Sequence, residues 1–246
     1  MKLYCATSNP GKLREFRMAY AEAEIILASL APLEIKLLPS FREIPPCAED
    51  GATFEENAVK KALHYGDFAP GLLFADDSGL EVDALGGAPG IHSARFAGTH
   101  ATDADNNQLL LDRMRRVARR TARFICVIAL VQCPPDKIGT GLFEPGDSRP
   151  AQRLHGGPNQ AVTEPVEGRR LLSVYRGSVE GTILDSPRGA GGFGYDPLFY
   201  YPPIGRTFAE LSAEEKIGVS HRGQAMRAML EALPALLGSR AERING

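Results

Sequence analysis

Arg123-Phe124-Ile125-Cys126-Val127-Ile128-Ala129-Leu130-Val131 is the most apolar stretch of the chain. An unbroken run of this kind predicts a central strand covered on both faces by other elements. Outward from it, Leu72-Leu73-Phe74-Ala75 reads as a second buried strand that ends in an acidic turn, Asp76-Asp77-Ser78-Gly79. Leu80, Val82 and Ala84 then alternate with Glu81 and Asp83, as in a further strand with one wet face. Leu3-Tyr4-Cys5-Ala6 is a short buried strand, and Leu171–Tyr175 with Val179–Leu184 reads as a strand pair around Arg176-Gly177-Ser178.

Helices separate these strands. Asn9 is an N-cap and Pro10 suits the first helical position, ahead of an apolar stripe at Leu13, Phe16, Tyr20, Ala23 and Leu27. Thr53 and Glu56 form a capping box before Phe54, Ala58, Ala62 and Leu63, with Gly66 as the stop. Thr102 and Asp105 repeat the pattern before Leu110, Leu111, Met114 and Val117, and Ser212 with Glu215 opens a short helix. Ser220 starts a longer one that turns Ala225, Met226, Met229, Leu230 and Leu233 inward. Strands alternating with helices predict an α/β sheet. From about 133 to 169 many Pro and Gly appear with no sustained apolar period, which reads as an insertion into a single domain spanning 1–246.

Composition narrows the class of partner. A formal net charge of −2 over 246 residues argues against a protein that lives on nucleic acid. The basic run from Arg113 to Arg123 reads as a solvated helix end or, alternatively, a polyphosphate contact. Cys5, Cys47, Cys126 and Cys133 form no C-x-x-C pair, and buried reduced thiols fit a cytoplasmic location. Met1-Lys2-Leu3 runs straight into the first strand, leaving no room for a signal peptide, and no stretch approaches the ~20 apolar residues of a membrane span.

Four stretches carry chemistry. Thr7-Ser8-Asn9-Pro10-Gly11-Lys12 lies where a strand ends and a helix begins, a natural anion site to which Lys12 adds a mobile cation, although capped helices with an early lysine are common. It is not a Walker A loop. Asp76-Asp77 reads either as a turn whose aspartates cap backbone amides or as a carboxylate pair whose repulsion a cation relieves. Such a pair suits Mg²⁺ and the orientation of a water. Gly192-Phe193-Gly194-Tyr195-Asp196-Pro197 is either a glycine-rich turn with core aromatics or a grip on a flat ring. Ser220-His221-Arg222 is either an N-cap with two solvated cations or a donor pair for ring carbonyls, which Lys216 could join.

These motifs, with Thr53–Ala58, Lys61, Ala75–Leu80 and Leu85–Arg95, resemble the inosine/xanthosine triphosphate pyrophosphatase family over nearly the whole chain outside the insertion. The resemblance implies a two-lobed α/β fold with an elongated mixed sheet, flanking helices and a substrate cleft between lobes, usually in a homodimer. It implies Mg²⁺-dependent hydrolysis of noncanonical purine nucleotides (ITP, dITP or XTP) to monophosphate and pyrophosphate. Thr7, Ser8, Asn9, Pro10, Gly11 and Lys12 would then hold the triphosphate. Asp77 would accept the proton and bind the metal, with Glu49 rather than Asp50 as the second acid and Ser78 touching substrate. Phe193, Gly194, Tyr195, Asp196, Lys216, His221 and Arg222 would line the base pocket, with Phe193 stacking on the ring. A pyrophosphatase for modified pyrimidine or canonical nucleotides and a non-hydrolysing nucleotide-binding regulator are the competing readings. Ser220-His221-Arg222 argues against the first, and Asp76, Asp77 and Lys12 together argue against the second.

Overall fold

The computed structural model describes residues 1–26, 32–133, 165–166 and 169–238. Its elements run β1 (Lys2–Ala6), α1 (Pro10–Ile26), β2 (Glu34–Leu37), α2 (Phe54–Gly66), β3 (Leu72–Val82), α3 (Asp103–Arg113), β4 (Thr121–Gln132), β5 (Pro165–Val166), β6 (Arg169–Ile183), β7 (Phe199–Tyr201), β8 (Arg206–Thr207), α4 (Ala213–Val219) and α5 (His221–Gly238). Leu27 and nearly all of the Pro/Gly-rich insertion lie outside the described residues.

The eight strands form one mixed sheet in the order β2-β1-β3-β4-β6-β7-β8, with β5 paired to β6. β1 lies parallel to both β2 and β3, whereas β4 runs antiparallel to its two neighbours, β3 and β6. The apolar run around Phe124–Val131 is indeed central, and Ile125–Val131 are almost wholly buried.

Two expected turns are absent. Leu72–Val82 is one strand of 11 residues that carries Asp76-Asp77 within it, and Arg169–Ile183 is one strand of 15 residues through Arg176-Gly177-Ser178. The long partner strand decides both cases. β4 supplies ladder positions from Gln132 to Ala122 opposite β3 and from Thr121 to Gln132 opposite β6, so the backbone of each neighbour stays extended along its length.

Strand alternation sorts the core into three bodies. Leu72 and Phe74 face α1 and α5 together with Cys126, Ile128 and Leu130. Leu73 and Ala75 face α2 together with Ile125, Val127 and Ala129. Leu80, Val82, Phe124, Val179, Phe199 and Phe208 form a third cluster farther along the strands. The first two clusters make one lobe and the third makes the other. β1 stops at Ala6, opposite Ala75, while β3 continues to Val82 on β4 alone. The sheet therefore steps back at Asp76, and the gap left by β1 is the cleft between lobes.

Candidate active site

The step places the two acids on opposite faces of β3. Asp76 and Ser78 point with Leu72 and Phe74 toward α1 and α5, and Asp77 points toward α2. Lys12 Nζ on α1 donates to Asp76 Oδ2 at 2.8 Å, and Ser78 Oγ donates to the same oxygen at 3.0 Å. On the other face Lys61 Nζ donates to Asp77 Oδ1 at 2.7 Å and Asn57 Nδ2 to Oδ2 at 3.4 Å. Asn57 and Lys61 are four residues apart, so one side of α2 delivers both.

Thr7–Lys12 caps the cleft at the start of α1. Asn9 Oδ1 accepts from the amides of Gly11 (2.8 Å) and Lys12 (3.1 Å), and Thr7 Oγ1 accepts from the Asn9 amide at 3.2 Å. Thr7 is buried and Ser8 exposed. Glycine at position 11 is required by crowding: a Cβ there would come within 2.9 Å of the Phe193 ring.

Phe193 sits in the Gly192–Asp196 loop, which the second lobe holds by its backbone. Asp103 Oδ2 accepts from the Gly194 amide at 2.6 Å, Asn107 Nδ2 donates to Gly194 O at 2.9 Å, and Tyr195 Oη donates to Ser93 O at 2.8 Å. Gly194 has φ +62°, a conformation that favours glycine. The Phe193 ring lies 4.8 Å from Lys216 Nζ and 4.9 Å from the Arg222 guanidinium carbon, within cation–π range.

Behind the ring runs a chain of ionic contacts. Lys216 Nζ bonds Asp196 Oδ2 and donates to Glu15 Oε1 at 2.7 Å. Arg222 Nη1 donates to Glu15 Oε2 and Nη2 to Ser78 Oγ, each at 3.0 Å. Ser78 and then Asp76 and Lys12 complete a continuous path from the aromatic loop to the helix cap. Arg222 Nε and both ring nitrogens of His221 are buried without a protein partner.

A cavity of about 290 Å³ opens over this floor, at the small end of the range for ligand pockets. Thr7, Ser8, Asn9, Lys12, Glu49, Asp77, Ser78, Phe193, Gly194, Tyr195, Asp196 and Arg222 line it. Pro10, Gly11, Lys216 and His221 stand outside the lining. Lys216 is buried beneath Phe193, and His221 is 1% exposed, stacked at 4.8 Å on Phe124, which does line the cavity.

Glu15, Asn57, Arg95 and Asp103 also serve the site. In sequence, Asn57 and Lys61 betray themselves as polar residues on the helix stripe that also carries Phe54, Ala58 and Ala62. Glu15 lies a turn after Lys12 beside buried Phe16. Nothing local marks Asp103, whose partner is ninety residues away in the chain.

Electrostatics separates the adjacent acids. Burial alone would raise the Asp76 pKa, but Lys12, Lys61 and Arg222 outweigh it and hold the carboxyl below its ordinary range. Burial raises Asp77, and Lys61 does not cancel it. Glu15 is depressed because Arg222 and Lys216 overcome its burial. His221 is pushed well below the ordinary histidine value by burial, then by Arg222 and Lys216. It is a neutral ring.

Two acids of the site converge on one point. Lys61 Nζ already lies between Asp77 Oδ1 (2.7 Å) and Glu49 Oε1 (3.7 Å), so the two carboxylates converge on one positive charge. Their hard oxygens fit Mg²⁺, which typically takes one or two carboxylates and completes its shell with water and phosphate. No group of three His, Cys, Asp or Glu converges as a metal cage among the described residues. Asp50 instead pairs with Lys60 at 2.7 Å in solvent.

Fold and site together define a two-lobed α/β protein whose interlobe cleft joins a capped helix start carrying Lys12, a split carboxylate pair and an aromatic–cation platform. The Ham1 family profile matches residues 3–144 and 160–232, and the chain belongs to that family. It is 46% identical to a dITP/XTP pyrophosphatase of Syntrophobacter fumaroxidans, over 91% of this chain and 78% of that one. A dITP/XTP pyrophosphatase of Thermus thermophilus is 45% identical, over 94% and 91% of the two chains. The structure of a HAM1 protein from Coxiella burnetii matches 96% of this chain and 99% of its own, at 34% identity and a TM-score of 0.69.

Proposed function

We propose that this protein is a nucleoside triphosphate pyrophosphatase that converts the noncanonical purine nucleotides ITP, dITP and XTP to their monophosphates and pyrophosphate. The observation that carries the reading is the unbroken polar path from Phe193 and Asp196 to Lys12, with Asp77 beside it. It joins a ring platform to a phosphate site, and the relatives described above bear the name dITP/XTP pyrophosphatase.

In this reading the purine stacks on Phe193. Arg222, which lines the cavity, is the donor toward the 6-oxo oxygen of hypoxanthine or xanthine, and the 6-amino group of adenine would face that donor unfavourably. The phosphates lie at the start of α1 with Lys12 as their cation, because the Gly11 and Lys12 amides that the sequence offered as free donors are already capped by Asn9 Oδ1. Asp77, with its raised proton affinity, takes a proton from a water directed at the α-phosphorus, while Asp76 stays ionised and fixes Lys12. The oxygen of that water bonds to the α-phosphorus, and the α–β bridging oxygen leaves with pyrophosphate. Asp77 and Glu49 would hold Mg²⁺, which neutralises charge on the phosphates. Lys61 balances the same acids from α2.

The decisive experiment is product analysis on a panel of ITP, dITP, XTP, ATP and GTP, with and without Mg²⁺, in ¹⁸O-water. Pyrophosphate should appear from the first three only with the metal, and the label should enter the monophosphate. Release of orthophosphate, or equal turnover of ATP, would refute the reading. A homodimer and a cytoplasmic location belong to the same proposal, and sedimentation velocity checks the first. Among the described residues no helix is long and apolar enough to cross a membrane.

A further inference from the structure

Arg95 lines the cleft together with Lys12 of α1 and Lys61 of α2, but it comes from a different element. It ends a 3₁₀ segment, Gly90–Arg95, that is seated firmly on the second lobe. Ser93 Oγ donates to Gly90 O at 2.6 Å and accepts from the Leu80 amide at 2.8 Å. Gly79 lies directly beneath, where any Cβ would strike Ser93.

The guanidinium lines the cavity, yet its contacts are loose. Nη1 stands 3.8 Å from Glu49 Oε2, and Nη2 donates to Glu49 O at 3.3 Å. The side chain is about a third exposed, and Glu49 is its only acidic partner among the described residues. Lys61, by contrast, is committed to Asp77 at 2.7 Å. The charged contacts run from Asp77 to Lys61, from Lys61 to Glu49 and from Glu49 to Arg95, so Arg95 ends the series that starts at Asp77. A nucleotide with its ring on Phe193 and its α-phosphorus near Asp77 directs its terminal phosphates there.

We propose that Arg95 is a ligand of the β- and γ-phosphates: on substrate binding the guanidinium exchanges its long contact to Glu49 for phosphate oxygens, and it holds the leaving pyrophosphate from the second lobe. The planar fork matches phosphate in two-point geometry, and its charge is permanent. The exchange also frees Glu49 for a cation. The inference rests on the proposed substrate class and adds a contact that Lys12 and the α1 cap do not supply.

Calorimetry tests it with a non-hydrolysable inosine triphosphate analogue, inosine monophosphate and pyrophosphate, each with Mg²⁺ and with EDTA. For Arg95→Gln the analogue and pyrophosphate should bind about tenfold more weakly or worse in both buffers, the size expected of a lost charge-assisted contact. Monophosphate affinity should stay within about twofold, and Arg95→Lys should recover part of the loss. Unchanged analogue and pyrophosphate affinity would overturn the proposal. So would an equal loss for the monophosphate, which marks a mere latch between lobes, or a loss that vanishes in EDTA, which marks an effect routed through Glu49 and the metal. If the wild-type protein binds no analogue and releases no pyrophosphate from ITP, the substrate reading falls as well; every other failure falls on Arg95 alone.

Discussion

Asp76 and Asp77 are adjacent in the chain and opposite in character, because a strand turns neighbouring side chains to different faces. Three cations make Asp76 a permanent anion, whereas one ammonium and a buried setting leave Asp77 with the higher proton affinity. Paired acids driven apart in this way divide the roles of fixed charge and base. His221 shows the same physics applied to stability. Its folded-state pKa lies well below the ordinary 6.5, so below that pH the unfolded chain takes up a proton that the native ring refuses. Native stability therefore falls as pH drops through about 6.5, by at most about 1.4 kcal/mol per unit from this residue. Urea unfolding at pH 7.5 and at pH 5.5 should show a smaller acid loss for His221→Phe, which keeps a ring against Phe124, than for wild type. Equal losses would place the acid sensitivity elsewhere.

At the scale of elements, α1 braces the aromatic loop as well as carrying Lys12. Its Glu15 holds both Lys216 and Arg222, and those two pack on the Phe193 ring. Glu15→Gln leaves two buried cations short of one anion and should destabilise the fold by about 3 kcal/mol. It should also raise KM for ITP more than it lowers kcat; a variant with wild-type stability and KM would refute that role. The exposed Arg123–Glu180 pair on the sheet, by comparison, is worth roughly 0–1 kcal/mol. Helices were legible from the chain because capping is local: Thr53, Thr102 and Ser212 each accept the expected amide bond. The strand ends were not legible in the same way. Asp-Ser-Gly and Arg-Gly-Ser resemble turns, and only the ladder offered by β4, distant in sequence, keeps them extended. The aromatic loop could be read as a ring grip, but its anchors Asp103 and Asn107 lie too far away in sequence to be read.

The whole molecule is a sheet with a missing half-strand. Where β1 ends, the polar side chains of β3 sit between two apolar bodies, and every charged group of the site converges there. Composition argued against nucleic-acid partners through its near-neutral charge, but it could not show that the acids would be split across the sheet. The two lobes meet at the ring, since Phe193 is anchored on one lobe and packs on Gly11 of the other. Phe193→Ala should weaken affinity for every purine triphosphate by ~1–3 kcal/mol, the scale of base–aromatic stacking. Fluorescent-nucleotide titration would measure it, and an unchanged Kd would place the base elsewhere. The claim that joins all three scales is that Asp77 removes the proton from the attacking water. Asp77→Asn tests it in one assay pair: ITP turnover with saturating Mg²⁺, and binding of the non-hydrolysable analogue. Turnover should fall ~10²- to 10⁴-fold while the analogue still binds within about tenfold of wild type. Turnover near the wild-type rate in that variant would contradict the account.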